Sequence, residues 1–192
     1  VDEIEDSGGS SVIGRKNAII NGNFDIWQRG TSFTATGYHA DRWNTTVSGT
    51  GTTTISQQAF TIGQTDVPGE PKYYLRIAKS SGVSGASGAD VLSQRIEGVR
   101  TFAGQTATLS FYAKASEATT IDFFLKQDFG TGGSPSSDVD KTPTGVSVTT
   151  SWQKFTVTQA FDSISGKTIG SNNDDYFDLI MRIDNGSNAS VD

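Results

Sequence analysis

Residues 106–115 alternate strictly: Ala107, Leu109, Phe111, Ala113 and Ala115 are interleaved with Thr106, Thr108, Ser110, Tyr112 and Lys114. Successive side chains of an extended backbone point to opposite faces, so this spacing gives one face to bury and one for water. A helix would scatter the same residues around its whole circumference. Residues 119–129 repeat the pattern, with Ile121, Phe123, Leu125 and Phe129 set against Asp122, Phe124, Lys126 and Asp128. Only Ser116-Glu117-Ala118 separates the two runs, and so short a link predicts an antiparallel hairpin.

Weaker strand signals recur at 43–47, 53–60, 72–79, 91–97, 146–149, 152–161 and 176–184, divided by Gly, Ser, Pro and Asn clusters. In the last of them Tyr176, Asp178, Ile180 and Arg182 alternate with Phe177, Leu179, Met181 and Ile183. No window of helical length carries helical spacing; residues 98–104 allow a single turn. Hydrophobic residues are 34% of the chain, charged ones 19%, and 22 residues are Gly, a mixture that suits short strands and turns rather than helices. The expectation is an all-β protein of about nine to ten strands with little or no helix, its two antiparallel sheets packed face to face.

Residues 1–16 are acidic and then rich in Gly and Ser, and are expected to be a linker to an upstream part. Residues 17–192 are expected to be one domain, opening at the apolar run Asn17-Ala18-Ile19-Ile20. Residues 80–89 and 130–145 are expected to be exposed loops. There is no Cys, so neither disulfides nor thiolate metal sites hold the fold. The acidic start lacks the order of a signal peptide and no run is long and apolar enough to span a bilayer, so the expected route is synthesis in a cytoplasm followed by assembly, without membrane insertion. With a net charge of −6 and scattered basic residues, nucleic acid is not expected as a partner.

Catalytic groupings are sparse. His39 is the only histidine, and no Gly-x-Ser-x-Gly elbow accompanies it. The acids Asp122, Asp128, Asp138, Asp140, Asp174 and Asp175 offer carboxylate pairs, but solvated charges are the ordinary reading of acids on strands and loops. The chain is therefore expected to be non-enzymatic. Oxygen-bearing side chains at Asn21, Asn23 and Asp25 make a candidate calcium site, whose ligands would include Asn23 and Asp25. Aromatic rings on polar strand faces suggest sugar binding, because a ring can stack on a sugar while polar neighbours bond its hydroxyls. On that ground Tyr112, Phe124, Lys114, Asp122 and Lys126 are the candidate carbohydrate-binding residues. The alternative is that loops or cross-strand neighbours cover the rings. Trp27, Trp43 and Trp152 are assigned to packing.

The run Gly14-Arg15-Lys16-Asn17-Ala18-Ile19-Ile20-Asn21-Gly22-Asn23-Phe24-Asp25-Ile26-Trp27-Gln28-Arg29-Gly30 is followed in order by Tyr38-His39-Ala40-Asp41-Arg42-Trp43, Tyr74-Leu75-Arg76-Ile77, Ser93-Gln94-Arg95-Ile96-Glu97-Gly98, Leu109-Ser110-Phe111-Tyr112-Ala113-Lys114-Ala115, Gln127-Asp128-Phe129-Gly130-Thr131-Gly132-Gly133 and Ser151-Trp152-Gln153. Over residues 14–184 this series resembles a domain of bacteriophage tail-fibre adhesion proteins, notably from cyanophages and marine phages, of the carbohydrate-binding-module-like type. The resemblance implies a jelly-roll sandwich, attachment to host-surface polysaccharide or lipopolysaccharide, a place in the virion beside other tail subunits, a homotrimer, and a structural calcium near Asp25. Relatives of this kind continue into a further final strand after the counterpart of Ser190-Val191-Asp192, so the domain is expected to lack that strand or to receive it from elsewhere. A structural module that spaces or trimerises a fibre without binding glycan is the competing function.

Overall fold

The computed structural model describes residues 17–48, 51–80, 89–184 and 189–192. Within them the chain forms twelve strands and no helix. These are β1 (Ser32–Phe33), β2 (Gly37–Tyr38), β3 (Asn44–Thr46), β4 (Thr53–Ala59), β5 (Tyr73–Lys79), β6 (Ala89–Glu97), β7 (Thr106–Ala113), β8 (Thr119–Asp128), β9 (Val139–Asp140), β10 (Thr144–Val148), β11 (Gln153–Ala160) and β12 (Tyr176–Asp184). Every strand pairing is antiparallel. No helix among the described residues is long and apolar enough to cross a membrane.

One layer is a seven-stranded sheet ordered β10-β8-β12-β6-β3-β2, with β9 also on β8. The other comprises β1-β4-β5 and the ribbon β11-β7. The last residues of the chain run between these two pieces. Ile77 N donates to the Val191 carbonyl at 2.8 Å, Val191 N returns a bond to the Ile77 carbonyl at 2.9 Å, and Asp192 N donates to the Lys114 carbonyl at 2.9 Å. Val191 thereby bridges Ile77 of β5 and Ala115 beyond β7.

The alternation explains why the layers close on each other. Ile121, Phe123 and Leu125 of β8 and Phe177, Leu179 and Ile183 of β12 meet Ile55, Leu75, Ile77, Ala113 and Val157 of the opposite layer in one core. Burying such side chains stabilises by roughly 1.5–3 kcal/mol each. The chain is an all-β antiparallel jelly-roll sandwich. At one end of the core Lys79 and Asp90 form an ion pair at 3.6 Å with both side chains fully buried. Thr53 Oγ1 and Ser48 N add hydrogen bonds to the Asp90 carboxylate at 2.9 and 3.2 Å.

One expectation is corrected. β7 and β8 are not a hairpin: β7 pairs with β11, β8 pairs with β10 and β12, and residues 116–118 carry the chain from one layer to the other. Both strands bury one face in the same core, so their alternation fits side-by-side and face-to-face placement equally well. At the opening run 17–20 the Gln94 side chain bonds the Ile20 backbone, accepting from its N–H at 2.8 Å and donating to its carbonyl at 2.9 Å. Residues 130–145 are largely exposed, as expected, and also carry regular structure. They contribute β9 and the start of β10, and dock on residues 168–174 through Ser171 N to the Gly132 carbonyl at 3.2 Å and Ser136 N to the Thr168 carbonyl at 2.9 Å. The linker at 1–16 and the loop core at 81–88 lie outside the described residues.

Candidate functional site

The outer face of the seven-stranded sheet collects the polar halves of several alternating strands. Its rows follow from register: Phe124, Ile180, Ser93 and Asn44 lie side by side across β8, β12, β6 and β3. The next row is Lys126, Asp178 and Arg95, and the row beyond is Asp128, Tyr176 and Glu97. On the other side of Phe124 run Asp122, Arg182 and Val91.

Charges on this face are arranged in pairs. Arg182 donates to Asp122 and lays its guanidinium 5.8 Å from the centre of the Phe124 ring. Lys126 Nζ sits 2.6 Å from Asp138 and 3.8 Å from Asp128, and hydrogen bonding to Asp138 holds its ammonium charged to higher pH than usual. Asp178 is 8% exposed, and burial pushes its carboxyl up to about 6 although Arg95 Nε stands 3.9 Å away. Its Oδ1 is buried and has no hydrogen-bond partner among protein atoms. Arg95 also lies over the Tyr176 ring, 4.1 Å from its centre. Burial, then hydrogen bonding to Asp128, pushes the Tyr176 phenol upward, so it remains a donor.

Beside Tyr176 the face opens into a cleft of about 340 Å³ lined by Arg29, Tyr38, Arg42, Arg95, Glu97, Asn173, Asp174, Asp175 and Tyr176. Its wall is built by close loop contact. Thr131 N and Oγ1 donate to the Asp174 carboxylate at 2.7 and 2.5 Å, which holds that carboxyl below its usual range. Val99 N donates to Asp175 Oδ2 at 2.7 Å. Gly170 lies against the Thr131 backbone, where any Cβ would collide with it, so only glycine allows this approach. Tyr38 is 43% exposed at the cleft.

The candidate sugar residues are split between the two outer surfaces. Phe124, Asp122 and Lys126 lie on the seven-stranded face. Tyr112 lies on the outer side of β7, in the opposite layer, and Lys114 follows just past the end of that strand. There Lys114 is committed to Asp192 at 3.7 Å and to the Trp152 ring at 5.1 Å, and Trp152 packs with Phe60 and Tyr74. The five residues therefore form no single patch. Sequence reasoning missed Arg95, Tyr176, Asp178 and the cleft. The signal was present in the alternation of 176–184, which puts a tyrosine on the polar side of its strand as surely as 106–115 does.

His39 is buried, stacks on Phe33 at 4.4 Å and donates through Nε2 to the Ala35 carbonyl at 2.8 Å; burial lowers its pKa. It is a packed core residue. Asn23 and Asp25 are both exposed. The turn they occupy is closed by Asn21, whose amide donates to the Ile26 and Asp41 carbonyls at 3.0 and 3.1 Å. Gln57 Nε2 occupies the Phe24 carbonyl at 3.1 Å. Among the described residues no group of three His, Cys, Asp or Glu side chains is assembled for a metal. Asn23 and Asp25 thus do not by themselves make the six- to eight-oxygen shell that calcium takes.

No family model matches the chain. No curated protein matches it either. Among solved structures, the chain is similar to the enzymatically active domain of bacteriophage CBA120 tailspike protein 4, with a TM-score of 0.49 and 14% identity, over 91% of this chain and 20% of that one. It is also similar to a carbohydrate-binding module, CBM4, with a TM-score of 0.46 and 18% identity, over 90% of this chain and 93% of that one. The chain thus spans about a fifth of the tailspike chain's length.

Proposed function

We propose that the protein is a non-enzymatic, phage tail-associated adhesion module that binds host-surface glycan on the outer face of its seven-stranded sheet. The observation that carries this reading is the Tyr176–Arg95–Asp178 group beside the open cleft. It joins partly exposed rings to fixed donors and acceptors at the rim of the cleft. A sugar needs both elements: a flat apolar surface for its C–H face and directed polar groups for its hydroxyls. The ordered motifs over residues 14–184 support the phage setting, and assembly as a homotrimer with other tail subunits in the virion belongs to the same proposal.

The test is an array of bacterial surface polysaccharides and lipopolysaccharide fragments probed with the folded chain, followed by calorimetry on any hit. Saturable binding without release of new reducing ends is the expected result. Blank arrays would overturn the adhesion reading in favour of the structural fibre module, and new reducing ends would overturn its non-enzymatic part.

A further inference from the structure

Three of the chain's seven arginines, Arg29, Arg42 and Arg95, line the one cleft beside Tyr176. This concentration stands in a chain of net charge −6, whose overall field repels anions.

Their guanidiniums are held only loosely by acids, and that of Arg95 rests over the Tyr176 ring at 4.1 Å. The nearest acids stand at 3.5 Å for Arg29 and Asp41, 3.5 Å for Arg42 and Glu97, and 3.9 Å for Arg95 and Asp178. Among the described residues their only hydrogen bond runs from Arg42 Nη2 to the Arg95 carbonyl, at 3.5 Å. Arg76 shows what a committed arginine looks like in this chain: it donates to both oxygens of Asp192, at 2.5 and 2.7 Å. The two aspartates of the cleft wall are spent differently, since Asp174 accepts from Thr131 and Asp175 from the Val99 backbone. The cleft sets three arginines against three carboxylates, Glu97, Asp174 and Asp175, and the uncommitted hydrogen-bonding groups in it are the guanidinium N–H donors. A planar guanidinium pairs best with an oxyanion, which can accept two of its N–H groups at once.

We propose that the cleft selects saccharides that carry an oxyanion, either the carboxylate of a uronic-type sugar or a phosphate ester. Tyr38 and Tyr176 flank the sugar ring while Arg42 and Arg95 take the charged group. This deepens the adhesion reading and rests on it.

The experiment uses matched pairs: acidic polysaccharides with their carboxyl-reduced forms, and phosphorylated ones with their dephosphorylated forms, titrated into the full chain. Removing the charge is expected to weaken binding about tenfold or more in the pair that carries the right group, and rising salt is expected to weaken the charged member alone. The two kinds of pair separate carboxylate from phosphate. Arg42→Gln and Arg95→Gln should bring the charged member down to its neutral counterpart. Lys154→Gln removes an equal charge from the opposite layer and should change nothing. Thermal melting of each variant shows that it is folded. Neutral members binding as tightly as charged ones, or Arg variants leaving the charged member unaffected, would overturn the inference while leaving adhesion intact. If no glycan of either kind binds, both fall.

Discussion

Arg95 holds its guanidinium over the Tyr176 ring at 4.1 Å while its Nε faces Asp178 at 3.9 Å. The ring and the charge fix one another, as cation–ring pairs do at a cost of about 0.5–1 kcal/mol to separate at exposed sites. Tyr176→Ala is accordingly expected to weaken glycan binding about tenfold, near 1.4 kcal/mol, with a smaller loss of stability. Calorimetry and thermal melting on the same sample separate the two effects. Unchanged affinity would remove Tyr176 from the site.

The buried carboxyl of Asp178 gives stability a pH dependence. Burial pushes it up to about 6, whereas in the unfolded chain it titrates near ~3.9. Between those values the folded chain keeps a proton that the unfolded chain has released, so this group favours folding at the acidic end and loses that contribution as pH rises through about 6. The slope is at most about 1.4 kcal/mol per pH unit. Asp178→Asn cannot ionise, so urea midpoints should shift in the variant's favour between about pH 4 and about pH 7. A difference that stays constant across the window contradicts the assignment.

Lys79 and Asp90 are a different case, because both charges are fully buried and face each other at 3.6 Å. Asp90→Ala leaves a buried ammonium and is expected to cost about 3–5 kcal/mol in denaturant unfolding. The double variant Lys79→Met, Asp90→Leu removes both charges and should recover most of that loss. A single variant within about 0.5 kcal/mol of wild type would show that the pair is not sealed from water.

At Asn23 and Asp25 the turn is held by the Asn21 and Gln57 amides. Chelation is therefore expected to leave the melting temperature unchanged. A fall of several degrees with EGTA, restored by calcium, would establish the calcium site near Asp25 after all.

Strand positions were legible in the sequence because each half-buried strand carries its own period-two signature: the nine runs read there correspond to β3–β8 and β10–β12. The short β1, β2 and β9 were not legible, since two residues hold no period. Sheet membership was not legible either. Alternation tells which side of a strand is buried but not which neighbour it bonds, so residues 106–115 and 119–129 read as a hairpin although they face each other across the core. That error joined Tyr112 to Phe124. The cleft was hidden for a related reason: Arg29, Arg42, Arg95 and Tyr176 come from distant parts of the chain and meet only through the order β12-β6-β3-β2 and its loops.

The most direct measurement is backbone chemical-shift mapping of the chain titrated with a glycan from the array. Sugar seated on the seven-stranded sheet should perturb Ser93, Arg95, Phe124, Tyr176 and Asp178 and leave the opposite surface quiet. Perturbations confined to Tyr112, Lys114 and Trp152 would put the ligand on the other layer and contradict the account.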